Sequence, residues 1–237
     1  MAIYVTSDLH GLELKKLKVL LKKVKFNADD WLYILGDVVD GQNDGGVEIL
    51  VWLLEQYNVQ LILGNHEAML LANEFVFNEI TEDSIKNIDA EKLEFLNMYL
   101  SNGGDVTLKN LKILKASDNE TFSSVFEYLK DCPVYETVSA GGNDFLLCHS
   151  GIDNFEKTKK LSQYSADDFI WAWPEITDEY YDDICKFINF DIMYANDIRI
   201  NFIYNLLTLQ LLISKLPTST LPRTSAIASA QRFSLSC

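Results

Sequence analysis

Short apolar runs alternate with amphipathic stretches through the first 77 residues. Residues 2–7, 31–35 and 59–63 are brief and rich in Val, Ile, Leu and Tyr, and each ends in a loop-forming cluster. Each is predicted to be a strand. Between the first two, Leu14, Leu17, Leu21 and Val24 recur at helical spacing with lysines on the other face, which predicts a helix over about residues 12–25. Gly45 and Gly46 break the chain before a second helix expected over about 47–56. Gly64–Glu67 opens a third, expected to run to about Phe77. Strand–helix alternation of this kind implies a largely parallel sheet with right-handed crossovers, hence an α/β fold.

From about 81 to 130 the pattern becomes helical and acidic. Helices are expected over about 90–100, 107–114 and 122–129, the first stopped by Ser101-Asn102-Gly103-Gly104. This stretch reads as a helical insert above the sheet. Pro133 returns the chain to strands, with a hairpin expected from 134–138 and 145–148 around Gly141-Gly142-Asn143. The hairpin ends in His149-Ser150-Gly151. Residues 1–183 form one domain in this reading, and 184–237 an atypical, irregular tail. The last acidic residue is Asp197, and from Ser214 the chain is rich in Ser, Thr, Ala and Pro without periodicity. So abrupt a shift suggests a frameshift or chimeric coding origin, testable by sequencing the parent DNA through the codon for Asp183.

Composition narrows the function classes. A net charge of −15 over 237 residues argues against non-specific binding to nucleic acid or anionic membrane, which need a basic surface. Cys132, Cys148, Cys185 and Cys237 are scattered, with no CxxC pair. Without a secretory pattern they read as reduced thiols in a cytoplasmic protein. The apolar stretch 202–213 is shorter than the ~20 residues of a membrane span.

The chemistry sits where strands end. Asp8-Leu9-His10-Gly11 follows the first strand, Gly36-Asp37-Val38-Val39-Asp40 the second and Gly64-Asn65-His66-Glu67 the third. In an open α/β sheet, the carboxyl edge of the strands is where ligands collect. Aspartate, asparagine and histidine together suit hard or borderline metal ions and a phosphate. Taken singly, each has an ordinary role: Asp8 or Asn65 as a helix cap, Asp37 and Asp40 as turn carboxylates. Taken together, all three histidines of the chain (His10, His66 and His149) fall at strand ends.

These motifs resemble the phosphoprotein-phosphatase branch of the calcineurin-like metallophosphoesterases, which shows DxHG, GDxxDRG and GNHE, then a strand-end histidine, then a histidine in a GH motif. The resemblance covers about residues 1–183 and implies a β-sandwich flanked by helices, an αββα arrangement. It implies two divalent cations, manganese first, with iron or zinc as alternatives. Asp8 and His10 would hold one ion, Asp37 would bridge, and Asn65 and His149 would hold the second. A bridging hydroxide would attack phosphorus directly, His66 would protonate the leaving oxygen, and Asp40 would hold the His66 ring. The expected substrate is phosphoserine or phosphothreonine in proteins, or another small phosphoester. A dinucleoside polyphosphate hydrolase and an inactive phosphatase-fold binding protein are the alternatives.

This chain departs from the family pattern in three ways. No histidine follows His149, so a direct ligand of the second ion is missing along with the GH motif. Gly41 stands where the family carries a phosphate-gripping arginine. In the segment 171–174, Trp173 falls where bacterial relatives carry another arginine.

Overall fold

The computed structural model describes residues 1–79, 81, 89–173 and 180–181, with the strands at 186–188, 200–205 and 208–213. The tail expected to be irregular from Ser214 lies outside the described residues. So do 82–88 of the expected insert.

Three parallel strands form the first sheet: β1 (Ile3–Thr6), β2 (Trp31–Leu35) and β3 (Val59–Ile62), in spatial order β1-β2-β3. Helices α1 (Leu14–Lys23) and α2 (Val47–Leu53) connect them, and α3 (Asn65–Ala72) follows β3. The second sheet pairs β4 (Tyr135–Ala140) antiparallel with β5 (Asn143–Cys148), and β5 parallel with β6 (Lys186–Ile188). Strands β7 (Ile200–Asn205) and β8 (Thr208–Ile213) pair as a hairpin.

The side-chain period of two assigns each strand residue to a layer. Ile3, Val5, Leu35 and Ile62 turn toward Val138, Phe145 and Leu147 of the second sheet, forming the core between the sheets. Their neighbours Tyr4, Ile34 and Leu61 turn the other way, onto the helices. On the far side of the second sheet, Leu146 and Cys148 pack with Phe169 of α7 (Ala166–Ile170). Helix, sheet, sheet and helix therefore stack as the αββα sandwich expected.

Among the described residues, three further α-helices lie between α3 and β4 in sequence: α4 (Ala90–Ser101), α5 (Gly104–Ser117) and α6 (Asn119–Asp131). Their buried residues Tyr99, Leu108, Leu111, Val125 and Leu129 join the same core cluster as Leu32, Ile49, Leu50 and Leu70. This helical segment shares the main core rather than sitting above it.

Element boundaries differ from expectation for local reasons. The third helix ends at Ala72, and a separate 3-10 turn covers Glu74–Phe77. Buried Asn73 donates its side-chain amide to the Met69 carbonyl at 2.9 Å, offering the backbone a competing partner that closes the helix. Helix α5 begins at Gly104, three residues earlier than expected, because Ser101–Gly104 forms a tight corner between two helices rather than a loop. Asn102 and Gly103 donate back to Tyr99 and Leu100 carbonyls at 3.1 Å. A Cβ on Gly104 would lie 2.4 Å from the Tyr99 ring. None of the described helices is long and apolar enough to cross a membrane.

Gly104→Ala should therefore overpack the α4–α5 corner and destabilise the fold by about 1–3 kcal/mol. Urea unfolding measures it, and a wild-type midpoint would show that Tyr99 can move aside freely.

Candidate active site

The loops after β1, β2 and β3 leave one edge of the sheet and are stitched to each other. Asp8 N–H donates to the Gly36 carbonyl at 3.2 Å, His10 N–H to Asp37 at 2.9 Å and Gly11 N–H to Val38 at 2.9 Å. Asp8, His10, Asp37 and Asp40 all adopt positive φ (54°, 38°, 55° and 71°). Non-glycine residues seldom hold this left-handed conformation, and it concentrates at functional sites where surrounding structure enforces it.

At Asp37 the enforcing group is the Glu67 carboxylate, fully buried in the first turn of α3. Its Oε2 accepts from Asp37 N–H at 2.8 Å and Gly64 N–H at 3.1 Å, and its Oε1 from Val38 and Val39 N–H at 2.8 and 3.1 Å. One side chain thus binds the β2 loop to the β3 loop. Burial pushes its pKa up, and the charge of Asp37 adds to that, while the amide donors pull it back.

Asp37 lies at the centre with its two oxygens turned to different partners. Oδ2 is 3.6 Å from His10 Nε2 and 3.8 Å from His66 Nε2. Oδ1 is 3.5 Å from His149 Nε2 and accepts from the His66 backbone N–H at 3.2 Å. Asp8 Oδ1 lies 3.8 Å from His10 Nε2, and Ser7 donates its hydroxyl to the other Asp8 oxygen. One ligand atom each from His10, Asp37 and His66 falls within 4.8 Å of the others.

His149 presents its ring to the other oxygen of Asp37. Its Nδ1 faces the Leu35 carbonyl at 2.8 Å, a partner that only accepts, so Nδ1 carries a proton. In the neutral ring Nε2 then presents a lone pair. It faces Asn65 Oδ1 at 2.9 Å and Asp37 Oδ1 at 3.5 Å. Three electron-rich atoms aimed at one another suit a divalent ion held between them. With its amide reversed, Asn65 would instead donate to His149 Nε2 at 2.9 Å and to both Asp37 oxygens at 3.1 and 3.2 Å.

His66 is bonded through Nδ1 to Asp40 Oδ2 at 2.7 Å, and its ring meets that of His10 edge-on at 4.8 Å. Burial opposes its charged form, but the bond to Asp40 and the charge of Asp37 outweigh that and push its pKa up to about 9 in the metal-free protein. Fully buried Asp40 is held in turn by Tyr99 and Thr107 from the helical segment.

All seven expected site residues (Asp8, His10, Asp37, Asp40, Asn65, His66 and His149) converge on this edge. Sequence reasoning gave no role to Glu67, Tyr99 or Thr107. Glu67 stood inside a quoted motif, and its signal was an acid in a helix's first turn. Tyr99 and Thr107 carried no local signal beyond the glycine pair between them. Gly41 takes φ +82°, and a Cβ there would lie 3.2 Å from the His10 carbonyl oxygen, so this backbone has no room for an unstrained arginine. Trp171 and Trp173, expected as core or rim aromatics rather than a stacking platform for substrate, are exposed and so lie outside the core.

A family model for calcineurin-like phosphoesterases matches residues 1–196, and the chain belongs to that family. A curated relative in Buchnera aphidicola subsp. Schizaphis graminum, a symmetrical bis(5'-nucleosyl)-tetraphosphatase, is 37% identical over 89 residues, covering 37% of this chain and 31% of the relative. A protein of the same name in Actinobacillus pleuropneumoniae serotype 3 is 42% identical over 74 residues, 30% of this chain and 27% of that protein. The chain thus spans about a third of the length of the curated relatives it matches. Among solved structures, a provisionally assigned diadenosine tetraphosphatase aligns with a TM-score of 0.39 at 21% identity, covering 70% of this chain and 56% of that one. A protein serine/threonine phosphatase from Saccharomyces cerevisiae aligns at 0.38 and 18% identity, covering 78% and 48%.

Glu67→Gln keeps the shape but turns an amide N–H₂ toward backbone donors. It should cost about 1–3 kcal/mol in chemical denaturation and weaken Mn²⁺ binding by calorimetry. Unchanged stability would show that the loop amides do not depend on this carboxylate.

Proposed function

We propose that this protein is a metal-dependent hydrolase of small phosphoesters, with dinucleoside polyphosphates as its substrate class. The observation that carries the hydrolytic reading is the division of Asp37, one oxygen toward His10 and the other toward His149. Asp8, His10 and Asp37 would hold one divalent ion, and Asp37, Asn65 and His149 a second. When bound, such a pair supplies Lewis acidity at phosphorus and a nucleophile at neutral pH.

The chain's own groups do the rest. The bond from Nδ1 to Asp40 and the charge of Asp37 favour the protonated form of the His66 ring. With Nδ1 committed to Asp40, His66 turns only Nε2 toward Asp37 and the substrate side, which suits it to donate a proton there. It delivers a proton from Nε2 to the leaving oxygen and then recovers it from solvent.

The substrate assignment draws on the relatives' names and replaces the phosphoprotein first expected from the sequence. Phosphoserine and phosphothreonine form a second reading, favoured by the His66–Asp40 pair, because an alkoxide needs a proton on departure more than a nucleotide does. The missing histidine beyond His149 leaves the second ion three protein ligands from the residues named here. Weak binding of that ion is the expected consequence.

The test is hydrolysis of diadenosine tetraphosphate, a phosphoserine peptide and p-nitrophenyl phosphate by metal-free protein titrated with Mn²⁺. Turnover should appear with metal, be fastest on the dinucleotide, and fall at least about 100-fold in Asp37→Asn. His66→Ala should lose about 10²–10⁴ in rate on the peptide. Faster peptide hydrolysis would favour the phosphoprotein reading. Folded protein inactive at every metal concentration would instead be a binding protein on a phosphatase fold.

A further inference from the structure

Asp40 is fully buried, and its two oxygens serve different masters. Oδ2 faces His66 Nδ1 at 2.7 Å. Oδ1 accepts from the Tyr99 hydroxyl at 2.8 Å and the Thr107 hydroxyl at 2.7 Å. Thr107 Oγ1 also accepts from the Asp40 backbone N–H at 2.9 Å, so one hydroxyl grips both the main chain and the carboxylate of the same residue. It lies 3.1 Å from the Gly45 carbonyl as well, its single proton shared between two acceptors.

Tyr99 sits in the last turn of α4 and Thr107 in the first turn of α5, on either side of the Ser101–Gly104 corner. Both are fully buried. The corner itself touches the metal loop, with Gly41 N–H donating to the Gly103 carbonyl at 3.4 Å. The tight approach of Gly104 to the Tyr99 ring fixes where that phenol can point. Neither hydroxyl is placed to reach substrate, because each is spent on Asp40.

We propose that Tyr99 and Thr107 are positioning residues for the general acid, acting on His66 through Asp40. This rests on the phosphoesterase reading above. A carboxylate with both oxygens free can rotate and offer either one to the imidazole. Two hydroxyl donors on Oδ1 lock the rotamer, so Oδ2 alone meets Nδ1. Nδ1–H is then fixed as donor to Asp40, and Nε2–H is fixed toward the leaving oxygen. A purely packing role for the same residues predicts equal effects on every substrate. A positioning role predicts an effect graded by how much the leaving group needs a proton.

The experiment compares the full chain with Tyr99→Phe, Thr107→Val and Thr107→Ser, loaded with Mn²⁺, on phenyl phosphate and dinitrophenyl phosphate. Dinitrophenolate leaves without a proton, whereas phenolate departs far better with one. Thr107→Val should lower kcat on phenyl phosphate by about tenfold or more, part of the general-acid contribution, with KM unchanged. On dinitrophenyl phosphate the change should stay within about twofold. Thr107→Ser should restore near-wild-type values, and Tyr99→Phe should move in the same direction as Thr107→Val. Equal losses on both esters would overturn the proposal.

A second readout needs no metal and no turnover. In metal-free protein the Nδ1–H of His66 should give a downfield proton resonance, preserved in Thr107→Ser and lost or broadened in Thr107→Val. Its persistence unchanged in Thr107→Val would overturn the proposal. If wild-type protein hydrolyses neither ester, the phosphoesterase reading fails, and this resonance alone decides whether the two hydroxyls position His66. Should Thr107→Val fail to fold, Tyr99→Phe, which removes a single oxygen, carries both comparisons.

Discussion

The site depends on one buried carboxylate. Glu67 gathers four backbone N–H groups from two loops and, with the His66 N–H bond to Asp37, fixes the β2 loop against α3. A charge taken out of water is costly unless hydrogen bonds replace its hydration. Here the replacements are the amides that give Asp37 its left-handed backbone. The same bonds that stabilise Glu67 therefore aim Asp37, and Asp37 in turn touches every histidine of the chain. Stability and geometry are supplied by a single set of contacts.

A second carboxylate network sits beside the first and reaches further. Asp40 is tied to α4 and α5, whose Tyr99, Leu108 and Leu111 belong to the main core under the first sheet. The helical segment is thus a wall of the core and a support for His66 at once. Buried polar groups of this kind are justified only when every member is satisfied. Asp40 meets that condition, with partners on its backbone N–H and on both side-chain oxygens.

Much of the fold was legible in the chain. The β1–α1–β2–α2–β3 order follows from apolar runs of strand length separated by helical periodicity, and the parallel register follows from the crossovers. Asp8, His10, Asp37, Asp40, Asn65, His66 and His149 were legible because a strand-end loop keeps its motif contiguous in sequence. Helix ends were less so. Asn73 ends α3 by a side-chain bond to a residue four positions back, and the glycine pair at 103–104 makes a corner where a break was expected. Each depends on how a short polar or absent side chain sits against its neighbours, which periodicity does not register.

What the sequence determined by itself is the alternation of strands and helices, the strand-end placement of seven polar residues, and the lack of any histidine after His149. What only the tertiary structure decided is which atoms face which. The assignment of Asp37's two oxygens, the proton on His149 Nδ1, and the grip of Tyr99 and Thr107 on Asp40 join residues about 30 to more than 100 positions apart. Such contacts arise from layers stacking and loops crossing at a sheet edge. Hydrogen-bond direction is a property of that arrangement, and no local pattern of residues encodes it.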